Sequence, residues 1–295
     1  MKNNIYRIQK QLFFAVAAAT LLSGCAYPTK GESVSGAAAD TVWFPAEAST
    51  AFTEEAETET PAGASATAAP TETVSSEDAL LSDTYDLTRV TFTAEAAGTS
   101  IYIVGGIHGN ETAGWKAANA LARELSDGTR KLARGKVSVA APVNAWGAAH
   151  DKRTTYGNVD INRSFPGDPA GNDGEQIAAA LFDDIRAQQP DLVLDLHEAL
   201  VHTDGSDSLG DSIICGRDTG IEELVLGLLT ASDRDPDFPK LNVFGSPPAG
   251  SINRTAGDIL HLPVITVETR REDDLEQRIY SQLRVIEYIL AWYGM

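Results

Sequence analysis

From Leu87 onward, short apolar runs alternate with longer stretches in which apolar residues recur every three or four positions. LTRVTFTA, Leu87 to Ala94, alternates apolar and polar residues and is rich in β-branched ones, which predicts a half-buried strand. The Ala97-Gly98 turn leads into TSIYIVGG, and the two runs are expected to pair as a hairpin at one side of a sheet. Within the second run, Ile101 to Val104 is continuously apolar, the mark of a buried strand. Thr112 to Leu125 then places Trp115, Ala118, Leu121, Ala122 and Leu125 on one helical face. KVSVAAPVN, Lys136 to Asn144, reads as the next strand, and a long polar loop follows from Ala145 to Asn172. Asp173 is expected to cap a helix from Gly174 to Gln189, whose apolar residues include Ile177, Ala180, Leu181 and Ile185 and which Pro190 ends. Asp191 to His197 is a nearly unbroken apolar strand, the pattern of a strand covered on both faces. Ser212 to Gly216 and Pro263 to Thr269 predict two further strands. Ile221 to Ala231 and Leu275 to Tyr293 predict helices, the second with Ile279, Leu283, Ile286 and Ile289 or Leu290 on one side. The alternation predicts a single α/β domain with a mixed, mainly parallel central sheet flanked by helices.

Composition separates this body from what precedes it. The first 24 residues carry Lys2, Arg7 and Lys10, no acid, and an apolar run from Leu12 to Leu22. That run is too short to span about 30 Å of hydrocarbon, so it reads as a secretory signal rather than a membrane helix. Leu22-Ser23-Gly24-Cys25 resembles a bacterial lipobox, which implies cleavage before Cys25 and lipidation of its thiol. The alternative is an ordinary signal peptide with an incidental cysteine. Residues 25 to 80 are rich in Ala, Ser, Thr, Glu and Pro; after Cys25 they hold ten acids against one lysine. Such a stretch cannot bury enough apolar surface to offset its ordering entropy, and it is expected to be a disordered tether. Residues 81 to 295 then form the folded domain. The expected address is extracytoplasmic, anchored by lipid to the bacterial cell membrane.

The net charge of −19 offers no basic patch to neutralise phosphates, which argues against a nucleic-acid partner. Cys25 and Cys215 are the only cysteines. If Cys25 is acylated no intrachain disulfide remains, and stability must come from a core. Cys215, inside the apolar SIICG, reads as a buried strand residue rather than a nucleophile.

Candidate chemistry gathers at strand ends. In open α/β sheets ligands bind outside the carboxyl ends of the strands, and three such ends carry metal-binding or acid-base residues. GGIHGNE, from Gly105 to Glu111, turns sharply on glycine and offers His108 and Glu111 three residues apart. The strand from Asp191 delivers His197, and PVITVET delivers Glu268. Two histidines and a carboxylate form the ligand set of hydrolytic zinc sites, with water in the fourth position. Asp195, on the same strand face as His197, either orients its imidazole or makes a buried salt bridge. Glu198 points to the opposite face. His150, His202 and His261 match no motif and read as surface or loop histidines.

Four motifs in order, GGIHGNE, NVDINRSFPG (Asn158 to Gly167), DLHEA (Asp195 to Ala199) and TVET (Thr266 to Thr269), resemble those of the zinc carboxypeptidase superfamily. The likeness is closest to its succinylglutamate desuccinylase/aspartoacylase branch. The resemblance implies one zinc ion per chain, held by His108, Glu111 and His197, and a zinc-activated water. It implies Glu268 as general base and then general acid, Arg153 as stabiliser of the developing oxyanion, and Asn162 and Arg163 as a clamp for a substrate carboxylate. Structural ion pairs are the alternatives for Arg163 and for Glu268, the latter with Arg270 or Arg271. The expected reaction is hydrolysis of an amide beside a free carboxylate, in a peptide or an N-acyl amino acid. An esterase using the same site, or a binding lipoprotein that holds zinc without turnover, are the rivals. Carboxypeptidases of this superfamily place a tyrosine before the glutamate strand, and none occurs between Asn242 and Val267. Phe244, Asn253 and Arg254 stand there instead, Arg254 as a possible extra carboxylate contact.

Overall fold

The computed structural model describes residues 74–199, 209–216 and 220–295. The leader, Cys25, most of the tether and His202 lie outside the described residues. Among the described residues eight strands form one sheet: β1 (Val74–Ser82), β2 (Leu87–Ala94), β3 (Ser100–Gly105), β4 (Lys136–Ala140), β5 (Leu192–Ala199), β6 (Ser212–Cys215), β7 (Asn242–Phe244) and β8 (Val264–Arg270). Their order is β1-β2-β4-β3-β5-β8-β6-β7. The helices are α1 (Thr112–Asp127), α2 (Ala145–His150), α3 (Asp173–Gln188), α4 (Glu222–Arg234), α5 (Ile252–Thr255) and α6 (Leu275–Trp292). The fold is the α/β class that the sequence predicts, with a parallel centre of β4, β3, β5 and β8.

The expected hairpin of β2 with β3 does not form. β4 lies between them, antiparallel to β2 and parallel to β3. Turn chemistry marks where the chain reverses but not which strand fills the gap; here the β3-α1-β4 crossover returns β4 to the edge that a hairpin partner would have used. The actual hairpin is β1 with β2. β1 lies largely within the stretch that the sequence reads as tether, residues 25 to 80. This edge strand has only partly buried or exposed residues, so its composition reads as tether while its backbone pairs with β2.

Two corrections concern the central loop. Residues 145–172 contain α2 and a short 3-10 turn, Ile161–Arg163. Asn172, not Asp173, caps α3: its side chain accepts from the Glu175 N–H, and Glu175 reaches back to the Asn172 N–H.

Strand periodicity sets the faces. Ile101 and Ile103 of β3, Leu192, Leu194 and Leu196 of β5, and Ile265 and Val267 of β8 join one core with α1, α4 and α6. The intervening Tyr102, Val104, Val193 and Val264 join a second core with α3 on the other face. On that second face β5 runs Val193, Asp195, His197 and β8 runs Val264, Thr266, Glu268, apolar at the start and polar at the carboxyl end. The parallel register sets Asp195 beside Thr266 and His197 beside Glu268.

Candidate metal centre

GGIHGNE leaves β3 through Gly106, whose φ of 73° suits a residue without Cβ. Gly109 must also be glycine, because a Cβ there would lie 2.0 Å from the Gly147 carbonyl carbon of α2. That close approach of two backbones holds His108 and Glu111 over the end of β5. Both are buried, as is His197.

The three side chains converge. His108 Nδ1 is 2.8 Å from Glu111 Oε1, His197 Nδ1 is 2.7 Å from Glu111 Oε2, and the two Nδ1 atoms are 3.1 Å apart. Each histidine turns its other nitrogen to an aspartate: His108 Nε2 lies 3.1 Å from Asp160 Oδ1, and His197 Nε2 lies 3.0 Å from Asp195 Oδ1. Two Nδ1 atoms and the Glu111 carboxylate thus face one another in a buried cluster. Each of the three can offer one ligand atom to a cation held among them. The residues therefore fit a metal ion, and two nitrogens with a carboxylate suit zinc.

Electrostatics follow the same geometry. Burial alone would raise the Glu111 carboxyl, but the two imidazoles outweigh it and hold it well below the usual carboxylate range. Burial would lower His197, yet Asp195 and Glu111 together raise it. Asp160, half buried, is held low by His108 and Arg153 against its own desolvation. Glu268 goes the other way, pushed up to about 8 by burial first, against a lowering by His197, and further by the Glu111 and Asp195 charges. Among the described residues its carboxylate has no hydrogen-bond or ion-pair partner. Arg270 instead pairs with Asp273, and the Arg271 guanidinium donates to the Asn110 carbonyl.

The remaining candidates are placed unequally. Arg153 reaches the centre, donating to Glu111 Oε1 at 3.0 Å and to Asp160 Oδ2 at 3.1 Å. Asn162 lies with its Nδ2 3.3 Å from His197 Nε2, its Oδ1 accepting from the Ile252 N–H. Arg163 is exposed, donates to the Asn162 carbonyl, and pairs with no carboxylate among the described residues. Arg254 is spent on Asp258 at the surface. Glu198 faces away from the centre, buried in an ion pair with Arg278, while its backbone N–H donates to Glu111 Oε2. Cys215 is buried and its thiol is pushed up to about 12, the state of an inert core residue. His150 stacks on Trp146 with ring centroids 4.5 Å apart, and His261 closes a short helical segment at positive φ.

Sequence reasoning assigned no role to Asp160. Its signal was its place in NVDINR, yet its orientation depends on the 3-10 turn at 161–163, which its own Oδ1 caps by accepting from the Asn162 N–H. Gln282 of α6 was also missed; its Nε2 donates to the His197 carbonyl at 2.8 Å and ties the strand end to the helix layer.

The sheet is similar in fold to solved structures, and the cluster of His108, Glu111 and His197 at its strand ends could hold a metal ion. Residues 97–209 match the family model of the succinylglutamate desuccinylase/aspartoacylase catalytic domain, in keeping with the likeness drawn from the motifs. The matched stretch contains His108, Glu111, Arg153, Asp160, Asn162 and His197 and ends before Glu268. The chain is 33% identical over 109 residues to the N-alpha-acetyl-L-2,4-diaminobutyric acid deacetylase of Halomonas elongata, covering 37% of this chain and 31% of that protein. Its fold is similar to a succinylglutamate desuccinylase/aspartoacylase from Rhodobacter sphaeroides, with a TM-score of 0.55, 22% identity, and coverage of 71% of this chain and 59% of that one. It is also similar to Helicobacter pylori Csd4, a D,L-carboxypeptidase, with a TM-score of 0.57, 17% identity, and coverage of 67% and 51%. The match spans less than two thirds of each of these proteins.

Proposed function

We propose that this chain is a zinc-dependent hydrolase that cleaves an amide bond adjacent to a free carboxylate. The observation that carries the reading is the pairing of two unlike groups at neighbouring strand ends. One is the inward-facing His108, Glu111 and His197 cluster; the other is Glu268, in register with His197, buried, and without a partner among the described residues. A bound zinc ion supplies Lewis-acid polarisation and a water acidified to a pKa of about 7. Glu268 accepts a proton from the attacking water and returns it to the leaving nitrogen, for which a carboxyl group raised toward neutrality is suited. Arg153 brings positive charge to the same cluster, where it would meet a developing oxyanion. Asn162 and Arg163, adjacent at the 3-10 turn, would receive the substrate carboxylate, Arg163 by a bidentate fork.

The names of the relatives support hydrolysis of C–N bonds, one in an acetylated amino acid and one in a peptide. We place the protein outside the cytoplasm, tethered through a lipid on Cys25, on the strength of the leader and Leu22-Ser23-Gly24-Cys25. That address favours a peptide substrate over a cytosolic acyl amino acid. Among the described residues no helix is long and apolar enough to cross a membrane. An esterase and a zinc-holding binding protein remain the rivals, and Glu268 argues against the second, which has no need of a base. The test is a screen of zinc-loaded protein against peptides and N-acyl amino acids with free carboxylates. Turnover that Glu268→Gln removes supports the reading; tight ligand binding with turnover of no amide or ester by either protein overturns it in favour of a binder.

A further inference from the structure

The Asn253 side chain, in the segment where the family's tyrosine is absent, lies almost wholly buried against the same face of the sheet. An amide nitrogen can only donate, and Asn253 Nδ2 has two acceptors, the Ile214 carbonyl and Thr266 Oγ1, each at 2.9 Å. Having accepted there, the Thr266 hydroxyl directs its one hydrogen to Asp195 Oδ2 at 3.3 Å. Asp195, 1% exposed, presents its other oxygen 3.0 Å from His197 Nε2. The β5/β8 register makes this possible, since Asp195 and Thr266 are direct cross-strand partners. The donated hydrogens thus run from Asn253 to Thr266 and from Thr266 to Asp195.

We propose that Asn253 and Thr266 are positioning residues for the metal centre. By fixing Asp195 they hold its carboxylate 3.0 Å from His197 Nε2 and so keep the ring turned with Nδ1 toward Glu111 and His108. The proposal rests on the reading of these residues as a zinc site and adds to it the residues that set its affinity. Hydrogen-bond partners of this kind change metal affinity by about 10–100-fold when removed. Thr266→Val keeps the shape and β-branching of the side chain and deletes only the hydroxyl, while Thr266→Ser restores it.

The test is zinc affinity of the metal-free full chain, measured by competition with a chromogenic chelator, with thermal melting of each metal-free variant alongside. Zinc is expected to bind Thr266→Val at least tenfold more weakly than wild type and Thr266→Ser within about threefold of it. Asn253→Ala, which leaves β8 unchanged but frees the Ile214 carbonyl of β6, should weaken binding in the same direction and serves if Thr266→Val does not fold. A folded Thr266→Val, or failing that Asn253→Ala, with wild-type zinc affinity overturns the proposal and leaves Thr266 a merely structural residue. A serine variant as weak as the valine variant overturns it too, because the hydroxyl would not be the operative group. Wild-type protein that takes up no zinc sinks the metal reading itself, and the relay with it, an outcome told apart by the absence of binding in every variant.

Discussion

Glu268 is the residue whose environment is hardest to explain as architecture. A carboxyl group raised to about 8 by burial and by neighbouring carboxylates lowers the stability of the fold unless something uses it. The sign of its linkage follows. In the unfolded chain glutamate loses its proton near 4.3, whereas in the folded metal-free chain Glu268 holds its proton up to about 8. Stability is therefore fully present below the unfolded value and lost as pH rises through about 8, and the raised His197 acts in the same direction. Chemical denaturation of chelator-treated protein is expected to show declining stability from about pH 5 to pH 8. Added zinc should oppose the decline by displacing protons and supplying positive charge. A flat profile would show that Glu268 titrates as an ordinary carboxylate. Glu268→Gln should reduce turnover by about 10²- to 10⁴-fold, the usual range for a general base, while zinc affinity stays within a few-fold. Kinetics on any substrate found in the screen, with parallel zinc titration, check both. At this scale the sequence was informative wherever a residue's role follows from the strand it ends. His197 and Glu268 share a face because strand period and register place them there, and His108 and Glu111 reach it from the glycine turn after β3. Asp160 was not legible, since a turn that no periodicity announces decides where its carboxylate points.

The elements hold these residues with ordinary packing and capping. β5 is buried along its whole length between two helix layers, and Leu194 sits in the core shared with α1 and α6. Leu194→Ala is expected to cost about 2–5 kcal/mol in denaturant unfolding. The capping box of α3 lies on the loop that also carries Asp160 and Asn162. Asn172→Ala should cost about 1 kcal/mol, yet leave zinc affinity unchanged because Asp160 is oriented by its own turn. A matching loss of zinc affinity would show that the loop and α3 are coupled. Helices and buried strands were legible because their periods of 3.6 and 2 are written over many residues. Strand order was not: the insertion of β4 between β2 and β3 depends on a long-range pairing that local turn residues do not specify. β1 was hidden for another reason, because an edge strand draws its order from backbone pairing while its side chains keep the composition of a tether.

At the scale of the whole chain, a net charge of −19 works against attraction to nucleic acid, and the lipid anchor on Cys25 is a proposal of its own. Lipid anchoring carries its own check: expressed in a bacterial host, the full chain should fractionate with membranes and Cys25→Ala should not. Equal release of both would remove the anchor from the account. The proposed site does not depend on that outcome, because the residues proposed as its ligands, base and positioning groups all come from the sheet and the segments packed on it. The most direct measurement is a calorimetric titration of zinc into metal-free wild type and His197→Ala. One equivalent bound tightly by wild type, with loss of that binding in His197→Ala, is the expected result. Stoichiometric zinc held by His197→Ala at wild-type affinity would contradict the centre assigned to His108, Glu111 and His197.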